Sequence, residues 1–375
     1  MNANTDGIRP AGYVESTEDW VMEKKNAGFH GYFIQTFDFG GESHFVAPQS
    51  VESGHHPYLT AYSLKPPRGF VASIPGGRLW GRSAAVLTPE GRLLSDVSHE
   101  YDEKLHTVVK GANHPIFTDW NHSNLISAQG TTASLGFCGS YNYFHWMYDV
   151  MARWGMLLET GISFDQVMIN PNPYGTFVEQ TLSMLGTPKE KIIRTYSTMY
   201  VEAEQLLVPS LIMDSHYPAW ATEMLRRMFL PHQHVSYAAS DRFYICRKRA
   251  GARRIVNEEQ VMDYLASIGF RPLVLEQMSL AEQIRAFAVS RVIVAPHGAG
   301  LTNLAFCEPG TKVIEIFHPE HIMPTYWMIS NHRQLNYYFM YANRQSVQGI
   351  TFAGLEDIYV DIDKLKRTLR LAEIE

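Results

Sequence analysis

The sequence predicts an α/β protein in two parts, the second built on a parallel, doubly wound sheet. Three observations carry this. Between residues 242 and 317, short apolar or β-branched runs alternate with helical patterns. A looser alternation of the same kind occupies residues 142 to 209. The composition of the 375 residues, 45% hydrophobic and 19% charged, is that of a globular chain with ample core. At roughly 150 residues per domain, this length corresponds to two or three domains.

The elements follow in order. Gly and Pro punctuate the first 115 residues, as in Lys65-Pro66-Pro67-Arg68-Gly69 and Pro75-Gly76-Gly77. That pattern predicts irregular β structure, with strand-like pieces at 70–74 and 84–88. Over 142–159, Trp146, Val150, Trp154 and Leu157 recur at spacings of three and four, which predicts a helix. A strand at 166–169 and a helix at 175–185 come next. Thr187-Pro188-Lys189-Glu190 has the cap residue, first-turn proline and glutamate of a helix start. A strand at 204–209 and a helix at 217–235 complete the first half, and a change of charge character at Asp241 marks the boundary. The second half reads as strand 242–246, helix 257–268 capped by Asn257, strand 271–275, and helix 279–289 with a capping box from Ser279 to Glu282. Strand 291–295, short helix 300–306 and strand 312–317 follow. Asp363 is the expected cap of a C-terminal helix. The expected domains are therefore 1–235, an α/β domain with a β-rich start, then 241–360, a Rossmann-like domain, and a helix over 361–375. No internal repeat of 20 to 50 residues is visible.

Several classes are excluded or disfavoured. Thirty-eight acids against 32 bases give a net charge of −6, which disfavours a nucleic-acid binder. Three cysteines without CxxC spacing make no disulfide framework and suit a reducing compartment. The polar start has no signal core. The stretch from Trp120 to Tyr148 lacks Asp, Glu, Lys and Arg, but its Ser, Thr, Asn, Gln and His exclude it from hydrocarbon. A cytoplasmic protein without a transmembrane segment is expected.

Ligands of an open parallel sheet bind outside the carboxyl ends of its strands. After the first strand of the second half come Arg247, Lys248, Arg249, Arg253 and Arg254, five cations in eight residues. Arg fork geometry suits phosphate oxygens, although a solvated basic loop would carry the same residues. Glu276 follows the second strand, His297-Gly298-Ala299-Gly300-Leu301-Thr302-Asn303 the third, and Glu315 and His318 lie at the end of the fourth. The glycine-rich turn into a helix offers free N–H groups to an anion, or is simply a tight turn. It matches neither GxGxxG nor GxxxxGKS, so NAD and P-loop chemistry are disfavoured.

The helix from Asn142 holds the second constellation. At 100° per residue, Asn142, His145, Asp149 and Arg153 fall within about an 80° arc. His145 and Asp149 are i,i+4 neighbours, a carboxylate beside an imidazole, which suits a general base and equally a solvated polar face. Sixteen histidines invite a metal site, but HExxH and finger spacings are absent, and Asp361-Ile362-Asp363 reads as a helix start.

Together, Asn142-Tyr143-Phe144-His145-Trp146-Met147-Tyr148-Asp149, Arg247-Lys248 with Arg253-Arg254-Ile255-Val256-Asn257-Glu258, Glu276-Gln277-Met278-Ser279 and Pro296-His297-Gly298-Ala299-Gly300-Leu301-Thr302-Asn303 resemble glycosyltransferase family 61. The resemblance spans roughly 130–317 and includes capsular polysaccharide biosynthesis proteins. It implies a GT-B architecture, two Rossmann-like domains facing across a cleft, with the C-terminal helix expected to pack back on the N-terminal domain. It also implies inverting transfer of a sugar from a nucleotide sugar, commonly UDP-linked, to a hydroxyl acceptor such as a glycan, glycolipid or small molecule. Neither a cofactor nor a metal is expected. Asp149 is the first choice of base and His145 the second, with Asp149 orienting the imidazole as a joint alternative. The expected donor residues are Arg247, Lys248, Arg253, Asn257, His297, Gly298, Ala299 and Gly300, with Glu276, Glu315 and Asn303 added from their position at strand ends. An idle nucleotide-sugar module, a nucleotide-sugar epimerase and a histidine-based metal hydrolase are the rival readings.

Overall fold

The computed structural model describes residues 9–38, 40–54, 56–102, 107–173, 175–212, 217–234, 240–248, 250–345 and 352–375. The chain forms two compact units. The first comprises Met1–Gly40 and Pro67–Asp214, the second Gly41–Pro66 and Ser215–Glu375. The expected break at Asp241 falls inside the second unit.

The first unit is built on a ten-stranded mixed sheet. Its parallel part holds β1 (Ile126–Ser134), β2 (Gln166–Ile169), β3 (Ile192–Arg194) and β4 (Tyr200–Pro209). β1 pairs with β2 on one side and β4 on the other, and β3 pairs with β2, giving the order 3-2-1-4. On its far edge β4 pairs antiparallel with Gly69–Pro75 and Arg78–Trp80. The β-rich start therefore becomes an antiparallel wing on the parallel sheet. Val71, Ile74, Leu79, Val86, Leu206 and Val208 are buried there.

The segment over 143–159 departs from a plain amphipathic helix. A single turn, Tyr143–His145, leads into a π-helical stretch, Trp146–Met151, and then α1, Ala152–Glu159. Trp146, Met147, Tyr148, Asp149, Val150, Met151, Ala152 and Arg153 are all buried. Of the polar arc read at 100° per residue, Asp149 and Arg153 are thus enclosed, while Asn142 is exposed and His145 half-buried. The Thr187-Pro188 helix start gives one 3-10 turn, Lys189–Lys191. Pro188 is extended and caps nothing with its side chain, so the chain passes directly into β3.

The second unit has a six-stranded sheet of β5 (Arg242–Ile245), β6 (Arg271–Leu273), β7 (Val292–Pro296), β8 (Lys312–Phe317) and β9 (Asn336–Tyr341), with Gln49–Ser50 at the edge. Every pairing is parallel and the order is 6-5-7-8-9. β7 is buried throughout and β8 nearly so, as expected for strands covered on both faces. The capping box at Ser279 forms as expected, at the start of Leu280–Val289. The other helices are Ala219–Phe229, Glu258–Ser267, Thr325–His332 and Ile362–Leu371.

Two expectations for the C-terminal helix are corrected. Its cap is Asp361, which accepts from Lys364 N at 2.9 Å, and Asp363 sits in the first turn. The helix packs on the second unit's own sheet. Leu365, Leu369 and Ala372 share one apolar cluster with Tyr244, Val294 and Met340. A stripe this apolar is buried on the nearest open sheet face, and β9 and β5 supply it.

Candidate functional site

Each parallel sheet has one point where strand order reverses, and open α/β sheets bind ligands there. In the first unit that point lies between β1 and β4, in the second between β5 and β7. Both are occupied by polar groups that the rest of each unit is a poor place to bury.

At the first, Arg153 is 1% exposed and tied to four backbone carbonyls. Nη1 donates to Gly136 O at 3.2 Å and Asp149 O at 3.3 Å; Nη2 donates to Ser134 O at 3.3 Å and Pro209 O at 3.2 Å. The guanidinium thus closes the carboxyl ends of β1 and β4. Burial lowers its pKa to about 10, with Asp149 opposing the shift, so it stays charged at neutral pH. Asp149 is fully buried, and its Oδ2 lies 2.7 Å from His145 Nδ1. The His145 side chain is 34% exposed and is flanked by the rings of Phe137 and Phe144. With Asp149 as carboxylate, Nδ1–H donates inward and Nε2 is left with its lone pair. The carboxylate itself does not reach solvent.

At the second, Arg247 leaves the end of β5 and lies against the backbone of Gly298, after β7. A Cβ on Gly298 would meet Arg247 Nη1 at 2.0 Å. Glycine is needed for that approach, not for its dihedral angles, which are extended. Glu258, buried in the first turn of its helix, accepts from Arg247 N at 2.8 Å and from Tyr244 OH at 3.0 Å. Arg247 Nη2 donates to Ala252 O at 2.8 Å. Arg253, with φ +54°, donates Nε to His297 O at 3.2 Å and Nη1 to Gly354 O. Burial lowers the pKa of both guanidinium groups, Arg253 to about 10, with Arg247 adding to that shift. Among the described residues, neither has a carboxylate ion pair, and Arg247 Nε is buried without a hydrogen-bond partner. Two cations held only by carbonyls keep charge that an anion would neutralise. The 3-10 segment Ala299–Phe306 begins beside them, so the N–H groups of Ala299 and Gly300 precede its first internal bond, Leu301 N to Gly298 O.

The structure therefore groups Arg247, Arg253, His297, Gly298, Ala299 and Gly300, with Glu276 exposed but close enough to Arg247 to support its charge. Other expected residues lie elsewhere. Lys248 is exposed and pairs with Glu259 at 3.1 Å. Asn257 brackets Val360, accepting from its N at 3.0 Å and donating to its O at 2.9 Å. Asn303 is buried, and its amide donates to Gln283 and to Gly300 O. Glu315 is fully buried behind His297. Arg254 is committed to Asp357. Arg249 lies outside the described residues. Sequence reasoning missed the positioning role of Glu258, although it stands in the quoted motif, and missed Tyr326 and Tyr337, which carry no local signal.

The fold and these two clusters define an α/β chain with ligand-ready strand ends. Residues 143–314 match the model of the family Glycosyltransferase 61, which confirms the resemblance read from the sequence. His145, Asp149 and Arg153 of the first cluster and Arg247, Arg253 and His297 to Gly300 of the second fall inside that match. The chain is 32% identical over 114 residues to a beta-1,2-xylosyltransferase of Arabidopsis thaliana, covering 26% of this chain and 21% of that one. It is 32% identical over 93 residues to a beta-1,2-xylosyltransferase of Oryza sativa subsp. japonica, covering 23% and 17%. The chain spans about a fifth of the length of these curated relatives. Among the described residues, no helix is long and apolar enough to cross a membrane.

Proposed function

We propose that this chain is an inverting, metal-independent glycosyltransferase that moves a sugar from a UDP-linked donor to a hydroxyl acceptor. The observation that carries it is the carboxylate-free pair of half-buried guanidinium groups, Arg247 and Arg253, at the switch point beside Gly298. A diphosphate gains negative charge as the sugar–oxygen bond breaks, and two fixed cations with adjoining N–H groups stabilise that charge. His145 Nε2 takes the acceptor's proton as its oxygen attacks the sugar carbon, and Asp149 holds the imidazole in the required tautomer. The bond to the diphosphate breaks and nucleoside diphosphate leaves. On this reading the two units serve as the halves of a GT-B enzyme acting in the cytoplasm. The names of the relatives make a xylosyl donor the first to screen.

The test is calorimetric titration with UDP, GDP, ADP and NAD in the presence of chelator. UDP is expected to bind selectively. Arg247→Ala is expected to weaken it about 10- to 100-fold, the worth of a charge-assisted hydrogen bond. Gly298→Ala should do the same without touching a charge, because the methyl group takes the guanidinium's place. A folded protein that binds no diphosphate would remove the donor site. Hydrolysis of UDP-sugar without acceptor separates a transferase from an idle binding module.

A further inference from the structure

Glu315 is the buried centre of a chain of three titratable groups from adjacent parallel strands. Its Oε1 lies 2.5 Å from His297 Nδ1, and its Oε2 accepts from the Tyr337 hydroxyl. The register explains the meeting: Glu315 stands opposite Ala295 of β7 and Phe339 of β9, two residues from His297 and Tyr337 respectively. Phe317 stacks on the imidazole with ring centroids 5.4 Å apart, and the rings of Tyr326 and His321 flank it. Arg247 and Arg253 are the charges that face it. Arg253 and Tyr326 also face Glu315, and Tyr341 faces Tyr337. Among the described residues His297 Nε2 makes no hydrogen bond, and the His297 backbone lies at the two arginines, its carbonyl accepting from Arg253 Nε at 3.2 Å and the next residue, Gly298, lying against Arg247.

The Tyr337 O–H is committed to Oε2, so one proton decides the state of the remaining pair. While the pair keeps it, as a carboxylic acid donating to Nδ1 or as an imidazolium, His297 carries hydrogen on Nε2. When it leaves to solvent, Nδ1–H donates to a carboxylate and Nε2 has a bare lone pair. We infer that Tyr337 and Glu315 are positioning residues that hold His297 as an Nε2–H donor to the anion bound by Arg247 and Arg253. The inference rests on the donor-site reading above. Burial pushes the Glu315 carboxyl up to about 8, and burial with the two arginines holds the imidazole well below its ordinary range. The proton therefore sits on the carboxyl at neutral pH, and the donor is lost as pH rises through about 8.

The experiment is long-range proton–nitrogen NMR of the full chain labelled at histidine, from pH 6.5 to 9.5, with His297 assigned by its loss in His297→Gln. Wild type is expected to show Nε2–H at pH 7 and to invert to Nδ1–H as pH passes about 8. Glu315→Gln, whose amide donates to Nδ1 and whose carbonyl accepts from Tyr337, is expected to keep Nε2–H throughout. Tyr337→Phe removes a bond that favours the carboxylate, so its inversion should move to higher pH. Nδ1–H in the wild type at pH 7, or an unchanged inversion in Glu315→Gln, overturns the proposal. UDP titration supplies the second arm: affinity should fall about tenfold or more between pH 6.5 and 9.5 in the wild type and stay level in Glu315→Gln. If UDP never binds, the donor-site reading fails and the NMR result still decides the tautomer. If UDP binds without a tautomer change, the positioning role of Glu315 and Tyr337 fails and the donor site stands.

Discussion

His145→Gln is expected to lower sugar-transfer turnover about 10²- to 10⁴-fold, the usual contribution of a positioned general base. UDP affinity, which the proposed donor site assigns to Arg247 and Arg253, is expected to stay at the wild-type value. The reason is the division of labour at the first switch point. Asp149 is enclosed on the π-helical stretch, whereas the imidazole it holds is one-third exposed. The inward Nδ1–H and the 2.7 Å contact leave Nε2 as the outward base. Glutamine can still offer an N–H to Asp149 and keep the buried carboxylate partnered, but it has no lone pair basic enough to take a proton. Asp149→Asn should also lower turnover, by loosening the tautomer, with an added loss of stability because Arg153 loses its neighbouring charge. Initial rates with a UDP-sugar and a calorimetric UDP titration on the same preparation check this. Wild-type turnover in His145→Gln would dismiss the imidazole as base.

Much of the second unit could be read from the sequence because its signals are local. The buried β-branched runs at β7 and β8 and the capping box at Ser279 each depend on a few adjacent residues. The same locality made the strand-end rule useful: Arg247 and His297 are 50 positions apart, yet the 6-5-7 strand order makes them neighbours. The rule says nothing about direction within a strand end. Glu315 and Asn303 carry the right chemistry at the right height but are turned into the sheet and toward Gln283. The helix at Asn142 forms, with His145 and Asp149 in contact, but its pitch and burial were not legible. A projection at 100° per residue assumes one helical pitch and says nothing of burial, whereas a π stretch intervenes and Asp149 and Arg153 are buried. The wing was legible as β structure, but its pairing to β4 joins residues more than a hundred positions apart and leaves no local pattern.

Arg153→Met is expected to destabilise the protein by about 3–5 kcal/mol, the range for breaking a buried charged cluster. Methionine replaces the aliphatic stem well, so the loss comes from the head group. Four carbonyls, from Gly136, Asp149, Ser134 and Pro209, lose their donor at once. An unsatisfied buried acceptor costs about 1–3 kcal/mol, so four would exceed the stated range. The expected loss is smaller because the guanidinium is itself expensive to bury, which its lowered pKa of about 10 records. Arg153→Lys should rescue little, since one ammonium cannot reach carbonyls at the ends of both β1 and β4. The consequence reaches the chemistry: Arg153 binds Asp149 O, and Asp149 holds His145, so a shift of the strand ends moves the base. Urea unfolding of both variants measures the loss. A change below about 1 kcal/mol, the ordinary scale of a surface substitution, would show that β1 and β4 close without the guanidinium.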